Sequence, residues 1–427
     1  MQIQAWITLG IFITILAIIG TGKLSRSVAA LLGAAFLMVT QLLPADVAVR
    51  FIDFNTIGLL MGMMIVVGVL SKTGIFQYIA IKSLKMTKGN WLVTVFAITL
   101  TTAVLSGVLD NVTTVLLISP IILSLADIMK FNPVPLLISE AIASNIGGTA
   151  TLIGDPPNII IGSHAHFSFM DFIVNLTPIT FVILFVTVGI IALIYRRDFK
   201  IQPEEYEKIL KVDENAAVKN ILTLKKALII TGFILIGFLS HGFLHVEAAV
   251  IALMGASLLL AIIPDNGDEI IHKDIEWPTL IFFAGLFIIV GALKETGVIS
   301  ALSNILGRHL HGHPMAALLT VLWFSGLTCA FVNNIGFTAT FVYVIDELAG
   351  QVGMPSEPLF WALALGACLG GNGSFLGAAA NVVVADVANR FGYPITFKAF
   401  MKTGMLSVFI AMILCSIYLV IRYRALL

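Results

Sequence analysis

The chain carries one unit twice. Residues 54–158 and 277–381 run in register at a constant spacing of 223, without a gap. Thr56 pairs with Thr279, Gly62 with Gly285, Val67-Gly68 with Val290-Gly291 and Thr73-Gly74 with Thr296-Gly297. Further on, Asn111 pairs with Asn334, Gly147-Gly148 with Gly370-Gly371, Gly154 with Gly377 and Asn158 with Asn381. Chance agreement in an apolar chain falls on aliphatic letters. It does not keep glycines and asparagines in step over such a length. Upstream, with small gaps, Gly33 resembles Gly255 and Pro44 resembles Pro264. The fold must therefore be assembled from two similar halves.

The medium around those halves is set by composition. Of 427 residues, 59% are apolar and 11% charged, with mean hydropathy +1.04. Soluble domains carry about 25% charged residues. Too little polar material is present to face water, so the solvent for most of the surface is lipid. Net charge is zero, which gives no reason to expect nucleic acid. Cys329, Cys368 and Cys415 are too few and too scattered for a disulfide framework or a zinc site. The stretch Ala5 to Gly20 has no basic residue before it and reads as a retained span rather than a cleaved signal.

Crossing the hydrocarbon takes about 20 apolar helical residues. Spans are predicted near 4–20, 27–43, 54–71, 134–163 and 172–195, and again near 226–241, 246–263, 278–294, 357–386 and 403–421. The first repeat occupies 1–195 and the second 226–427, joined by a polar, basic linker over 196–225. Two more apolar stretches, 91–126 and 314–346, are broken at their centres by polar residues and read as re-entrant hairpins. Two full spans joined by a short exposed loop would be the plainer alternative, but it leaves an even number of crossings per half. With hairpins, and with both termini outside, the inside collects 19 of the 24 Lys and Arg residues. They are Lys23, Arg26, Lys72, Lys82, Lys85, Lys88, Lys130, eight in Arg196–Lys226, Lys273, Arg390, Lys398 and Lys402. Arg50, Lys294, Arg308, Arg422 and Arg424 stay outside. That agrees with the positive-inside rule. Five spans is an odd number, so the second copy inserts upside down. Inverted repeats with discontinuous helices are typical of secondary transporters. The expected fold is an all-α polytopic membrane protein of two inverted repeats.

The polar breaks are the candidate site. The first hairpin centres on Asp110-Asn111-Val112-Thr113 and the second on Asn333-Asn334-Ile335-Gly336. Non-helical backbone at that depth survives only where protein or a water-filled cavity satisfies it. The string SNIGGTATLIGDPPNIIIGS, residues 144–163, pairs with CLGGNGSFLGAAANVVVAD, residues 368–386. Glycines and Pro156-Pro157 interrupt both helices and free backbone carbonyls and N–H groups for ligands. Ser144, Asn145, Thr149, Thr151, Asn158, Asn372, Ser374 and Asn381 add hydroxyls and amides. A glycine-rich packing face would explain the small residues, but not Asp155-Pro156-Pro157-Asn158. Asp110 and Asp155 are intramembrane acids and so candidates for binding a proton or cation. Their register partners, Asn333 and Ala378, are uncharged, which confines the acidic character to one half. Either acid could instead cap a helix, Asp155 more readily since it directly precedes two prolines. His309, His311 and His313 read as a solvent-facing loop, and His164 and His166 as interfacial. Cys329 and Cys368 fall near the second half-site.

At these residues the chain resembles the ion-transporter superfamily of arsenite permeases, NhaD-type sodium–proton antiporters, the P protein and divalent anion/sodium symporters. SNIGGTATLIGDPPNIIIGS is similar to the signature of the arsenical-permease and P-protein branch. The resemblance covers essentially the whole chain. It implies a scaffold, a mobile transport domain and elevator-type alternating access. In the symporters a Ser-Asn-Thr motif at each hairpin tip helps bind sodium and a carboxylate. The matching positions here are Asp110-Asn111-Val112 and Asn333-Asn334-Ile335, and Gly-Thr-Pro-Pro-Asn becomes Gly154-Asp155-Pro156-Pro157-Asn158. Those departures favour proton coupling over sodium.

The leading expectation is a proton-coupled antiporter of the inner membrane exporting arsenite or antimonite hydroxides. Asp110 and Asp155 would carry the proton. Asn111, Thr113, Ser144, Asn145, Thr149, Asn158, Asn333, Asn334, Asn372, Ser374 and Asn381 would line the substrate site. Thiols would suit As(III). A sodium–proton antiporter and a carboxylate transporter are the alternatives. No cofactor or bound metal is expected; the proton motive force, or Na⁺, drives transport. Expected partners are the small inorganic substrate, the bilayer, and either a second copy or a cytoplasmic ATPase. An intramembrane hydrolase is disfavoured because neither H-E-x-x-H nor G-x-S-x-G occurs.

Overall fold

A computed structural model describes residues 3–21, 24–87, 90–129, 131–196, 213–262 and 267–424. Lys23, Lys88, Lys130, Arg197, Lys200, Lys208 and Lys211 from the charge tally, and Pro264 from the repeat, lie outside the described residues. Helices are the only regular structure among those described, and they pair off half against half. The first half contributes α1 (Ile3–Thr21), α2 (Arg26–Val39), α3 (Phe54–Thr73), α4 (Ile75–Lys85), α5 (Trp91–Ser106), α6 (Asn111–Met129), α7 (Val134–Thr149), α8 (Pro156–Ala165) and α9 (Thr177–Ile194). The second repeats the series as α10 (Ile221–Leu244), α11 (Ala248–Ile262), α12 (Trp277–Glu295), α13 (Val298–Leu310), α14 (Pro314–Cys329), α15 (Asn334–Val352), α16 (Glu357–Gly370), α17 (Ala379–Arg390) and α18 (Phe397–Arg422). Helices α1, α3, α9, α10, α12 and α18 are long and apolar enough to cross a membrane.

Local chemistry sets the element ends. The Asp53 carboxylate accepts from the N–H groups of Asn55 and Thr56 and starts α3. Gly74 ends it at φ +84°, and its register partner Gly297 ends α12 at φ +80°. Only glycine enters that left-handed region without strain. Each glycine turns the chain into a short amphipathic helix, α4 or α13, which the apolar-span criterion passes over. Other boundaries also move. The hairpins' second arms run on to Met129 and Val352, beyond 126 and 346, because their last turns are partly polar yet still helical. Helix α10 starts at Ile221, inside the 196–225 linker, where Asn220 caps it through Leu222 and Thr223. The 172–195 span divides into Phe169–Asn175, begun by a Ser168/Asp171 capping box, and α9. Of the linker, Asp213 to Asn220 seats against the α3–α4 corner. Lys219 donates its N–H to the Thr73 carbonyl at 3.1 Å, and Lys85 pairs with Glu214, holding that carboxyl below its ordinary range.

The halves interlock. Helix α2 packs along α12, while its counterpart α11 packs along α3. Each hairpin's first arm lies on the broken helix of its own half, α5 on α7 and α14 on α16. Each second arm lies against the broken helix of the other half, α6 on α17 and α15 on α8. A Cβ added to Gly147 would collide with the Ala103 carbonyl, and one on Gly370 with the Gly326 carbonyl. These are the same two positions in register. They let each break sit directly on a hairpin arm.

Candidate functional site

Both hairpin tips and both helix breaks converge, and paired residues repeat each local solution. The residue before each second arm caps it. Asp110 accepts from the Thr113 N–H at 2.8 Å and the Thr113 hydroxyl at 2.5 Å. Asn333 Oδ1 accepts from the N–H groups of Ile335 and Gly336 at 3.1 and 3.4 Å. The carbonyls freed by each break are gathered by one asparagine beyond it. Asn158 Nδ2 donates to the carbonyls of Thr149 and Thr151 at 3.0 and 2.8 Å. Asn381 Nδ2 donates to those of Gly371 and Ser374, both at 2.8 Å. Hydroxyls then tie break to tip: Thr151 donates to the Gly107 carbonyl at 2.6 Å and Ser374 to the Ala330 carbonyl at 2.5 Å.

Asn145 joins the two half-sites. Its Nδ2 donates to Asn372 Oδ1 at 2.9 Å and Asn381 Oδ1 at 3.0 Å, and its Oδ1 accepts from Asn111 Nδ2 at 3.2 Å. Asn111 Nδ2 also donates to Asp155 Oδ1 at 3.2 Å. The register partner of Asn145 is Cys368, which makes the equivalent link by donating Sγ–H to Asn158 Oδ1 at 3.4 Å.

The expected site residues therefore divide. Asn111, Asn145, Asp155, Asn334, Asn372 and Asn381 form the buried centre. Asn158 and Ser374 hold the breaks. Thr149 spends its hydroxyl on the Asn145 carbonyl at 2.7 Å, and Thr113 serves Asp110; both support the site rather than line it. Ser144 donates to the Asn111 carbonyl at 3.1 Å, and its own carbonyl accepts at 2.8 Å from the hydroxyl of Ser106, a residue the sequence does not single out. The register could have found it, since Ser106 pairs with Cys329 just before the second tip. The helix-cap expectation for the two acids is reversed. Asp155 occupies the N-cap position of α8 but makes no side-chain cap bond. Proline fills the next two positions and supplies no N–H, and the Asn158 N–H goes to the Asp155 main-chain carbonyl at 2.9 Å. The capping acid is Asp110.

Four buried polar atoms at this centre have no hydrogen-bond partner among the described residues: Asp155 Oδ2 and the Nδ2 groups of Asn333, Asn334 and Asn372. Buried polar groups are normally paired, so each needs an explanation. Of these four residues, Asp155 and Asn334, but not Asn333 or Asn372, line a cavity of about 440 Å³ together with Asp110 and Asn111, and it opens beside Arg26 and Glu276. Those last two are not among the sequence candidates. The register-related cavity, about 330 Å³ beside Arg50 and Asp53, stops at Ile160, Ala339 and Tyr343 and does not reach the centre. Histidines 309, 311 and 313 are exposed, and the first two bond the Ile305 and Gln351 carbonyls. His164 pairs with Asp346 at 2.7 Å.

Known proteins are similar to this chain in sequence, and a solved structure is similar in its arrangement of helices. Residues 12–366 match CitMHS, the citrate transporter family. The chain is 37% identical over 425 residues to the "46 kDa membrane protein" of Mycobacterium leprae (strain TN), covering 98% of each. It is 31% identical to the Homo sapiens P protein, across 94% of this chain and 58% of that one. Its fold is similar to the crystal structure of the Alcanivorax borkumensis YdaH transporter, with TM-score 0.59, 14% identity and 99% of both chains covered.

Proposed function

We propose a transport mechanism from one premise: this chain belongs to the CitMHS citrate transporter family, a family of multi-pass membrane transporters with P-protein homologues. It is a proton-coupled carrier of a small oxygen-rich anion, of the carboxylate class, in the inner membrane. The observation that carries this reading is the unpaired set at the centre. The Asn334 amide N–H on the cavity wall suits a carboxylate oxygen, while Asp155 Oδ2 beside it is placed to hold a proton. The cavity holds three acids, Asp110, Asp155 and Glu276, against one Arg26. An anion binds there only once that negative charge is relieved, which links substrate loading to protonation.

The repeats are inverted, with both termini outside, and the hairpin–broken-helix group moves as an elevator against α1–α3 and α10–α12. Ion pairs and hydrogen bonds support placing the helix ends they join on shared faces, and the charge count supports which face is inner. Lys72 meets Asp274 at 3.2 Å and Tyr393 meets Asp127 at 3.2 Å on the inner side; His164 meets Asp346 at 2.7 Å on the outer side. In this orientation the larger cavity opens inward.

Arsenite export keeps one support, the amides and hydroxyls that suit a neutral hydroxide. It loses the thiols. Cys329 and Cys368 are fully buried, neither lines the cavity, and Cys368 is a strut to Asn158. Replacing both by Ala should leave transport within about twofold, since a weak thiol donor contributes little; loss of transport in the double variant would restore the arsenic reading. Proteoliposomes loaded with a pH gradient, offered labelled citrate, arsenite and Na⁺ separately, test the class. Gradient-driven movement of arsenite or Na⁺ but not citrate would overturn it.

A further inference from the structure

Two carboxyl groups are fully enclosed among the described residues, Asp155 and Glu140, and the transport cycle proposed above uses only the first. Glu140 lies on α7 at 0% exposure. Its Oε2 accepts from the Ser119 hydroxyl on α6 at 2.9 Å, and its Oε1 has no partner among the described residues. The fold does not require a carboxyl there. In the second half the same two positions hold Leu363 and Val342, which are 0% and 1% exposed. One architecture, built twice, fills this slot once with a polar pair and once with an aliphatic pair. Packing alone explains only the aliphatic version.

No counter-charge reaches it. Helices α5 and α9, which pack on α7, carry no titratable side chain. Asp127 on α6 is exposed and bonded to Tyr393. On α16, α17 and α18 the charged groups, Glu357, Asp386, Arg390, Lys398, Lys402 and Arg422, are all exposed. Cys368 is engaged with Asn158, while Cys415 and Tyr418 supply no positive charge. A carboxyl without a cation at bilayer depth is a functional group by default. Three side-chain oxygens meet here, two of Glu140 and one of Ser119, too few to replace the hydration shell of a metal ion; a proton needs one. The substrate site is close. Glu140 precedes Ser144 by four residues, about 6 Å along the same face of α7, and Ser144 bonds the Asn111 carbonyl at the centre.

We propose that Glu140 is a second proton-binding residue of the carrier, one helical turn from the substrate site, so that it adds one proton to each transport cycle. This rests on the proton-coupled reading above. The test is the accumulation ratio of labelled citrate in proteoliposomes at clamped membrane potential. Each coupled proton multiplies that ratio about tenfold per pH unit, because one decade is 1.36 kcal/mol. Glu140→Gln should lower the ratio about tenfold at a one-unit gradient, while counterflow exchange, which needs no gradient, stays within about twofold of wild type. Glu140→Leu, the residue of the twin position, should behave alike. An unchanged ratio in a variant active in counterflow overturns the proposal, and so does failure of both variants to assemble, since the carboxyl would then be structural. A wild-type carrier that exchanges citrate yet ignores the gradient removes proton coupling itself, and Glu140's role with it; that outcome is read before any variant is made.

Discussion

Asp155→Asn should leave a carrier that exchanges substrate but concentrates it less, by the whole factor that one coupled proton supplies. The substitution preserves shape, and the new amide oxygen still accepts from Asn111 Nδ2 as Asp155 Oδ1 does now at 3.2 Å. What disappears is the group that can gain and lose a proton at the unpaired Oδ2 position. With a gradient of two pH units, one coupled proton accounts for about 100-fold accumulation, and the variant should lose that whole factor. Counterflow should persist. Asp110→Asn is the control, and its expected result differs. Asp110 already directs both oxygens at Thr113, as a helix cap. Asparagine caps a helix about as well as aspartate, so its Oδ1 should still accept the Thr113 N–H, with the thermal midpoint little changed and the accumulation ratio unchanged. Equal loss of coupling in both variants would show that the cap is also a proton carrier; intact coupling in Asp155→Asn would remove the assigned role.

That contrast marks where sequence reading stops. The register of the halves, the hairpin tips at Asn111 and Asn334 and the breaks around Gly147 and Gly370 are legible because glycine and asparagine occur in step inside apolar runs. Asparagine is costly in a membrane helix unless it is paired, so its recurrence beside the same glycines carries information. Which acid caps and which stays free is not legible at that level. Asp110 and Asp155 each stand immediately before a helix, and side-chain direction separates them: the Asp110 carboxylate takes the Thr113 N–H and hydroxyl three residues on, whereas the Asn158 N–H goes to the Asp155 main-chain carbonyl and the Asp155 carboxylate turns to Asn111. Thr113 and Thr149 look like ligands by composition, but a threonine next to a free backbone or carboxyl group satisfies itself locally. Glu140 escapes notice for the opposite reason. A single acid in PLLISEAIAS carries no motif, and only the Leu363 in its twin position shows that it is surplus to packing. Helices α4 and α13 escape because they are amphipathic, and a search for uniformly apolar spans passes over an interfacial helix.

The asparagines that hold the breaks should be the least replaceable residues of the site. Asn158 Nδ2 faces the carbonyls of Gly148, Thr149 and Thr151, and Asn381 Nδ2 those of Gly371 and Ser374. Asn→Asp keeps the outline and exchanges the donor for an oxygen directed at carbonyl oxygens. Both side chains are 0% exposed, so no water compensates. Each orphaned carbonyl costs about 1–3 kcal/mol, and two or three of them amount to roughly 2–9 kcal/mol before repulsion is counted, comparable with the 5–15 kcal/mol that holds a typical domain folded. Asn158→Asp and Asn381→Asp should therefore each abolish both counterflow and accumulation and reduce the yield of monodisperse carrier in detergent. The pattern differs from that of Asp155→Asn, which should spare counterflow. Asn381 carries a further consequence through its Oδ1, which accepts from Asn145 across the join at 3.0 Å. Loss of the Asn381 amide loosens its own break and also the bridge to the first half. A folded Asn381→Asp carrier with normal exchange would mean that something other than this asparagine satisfies the freed carbonyls, and that the break is held open by packing alone.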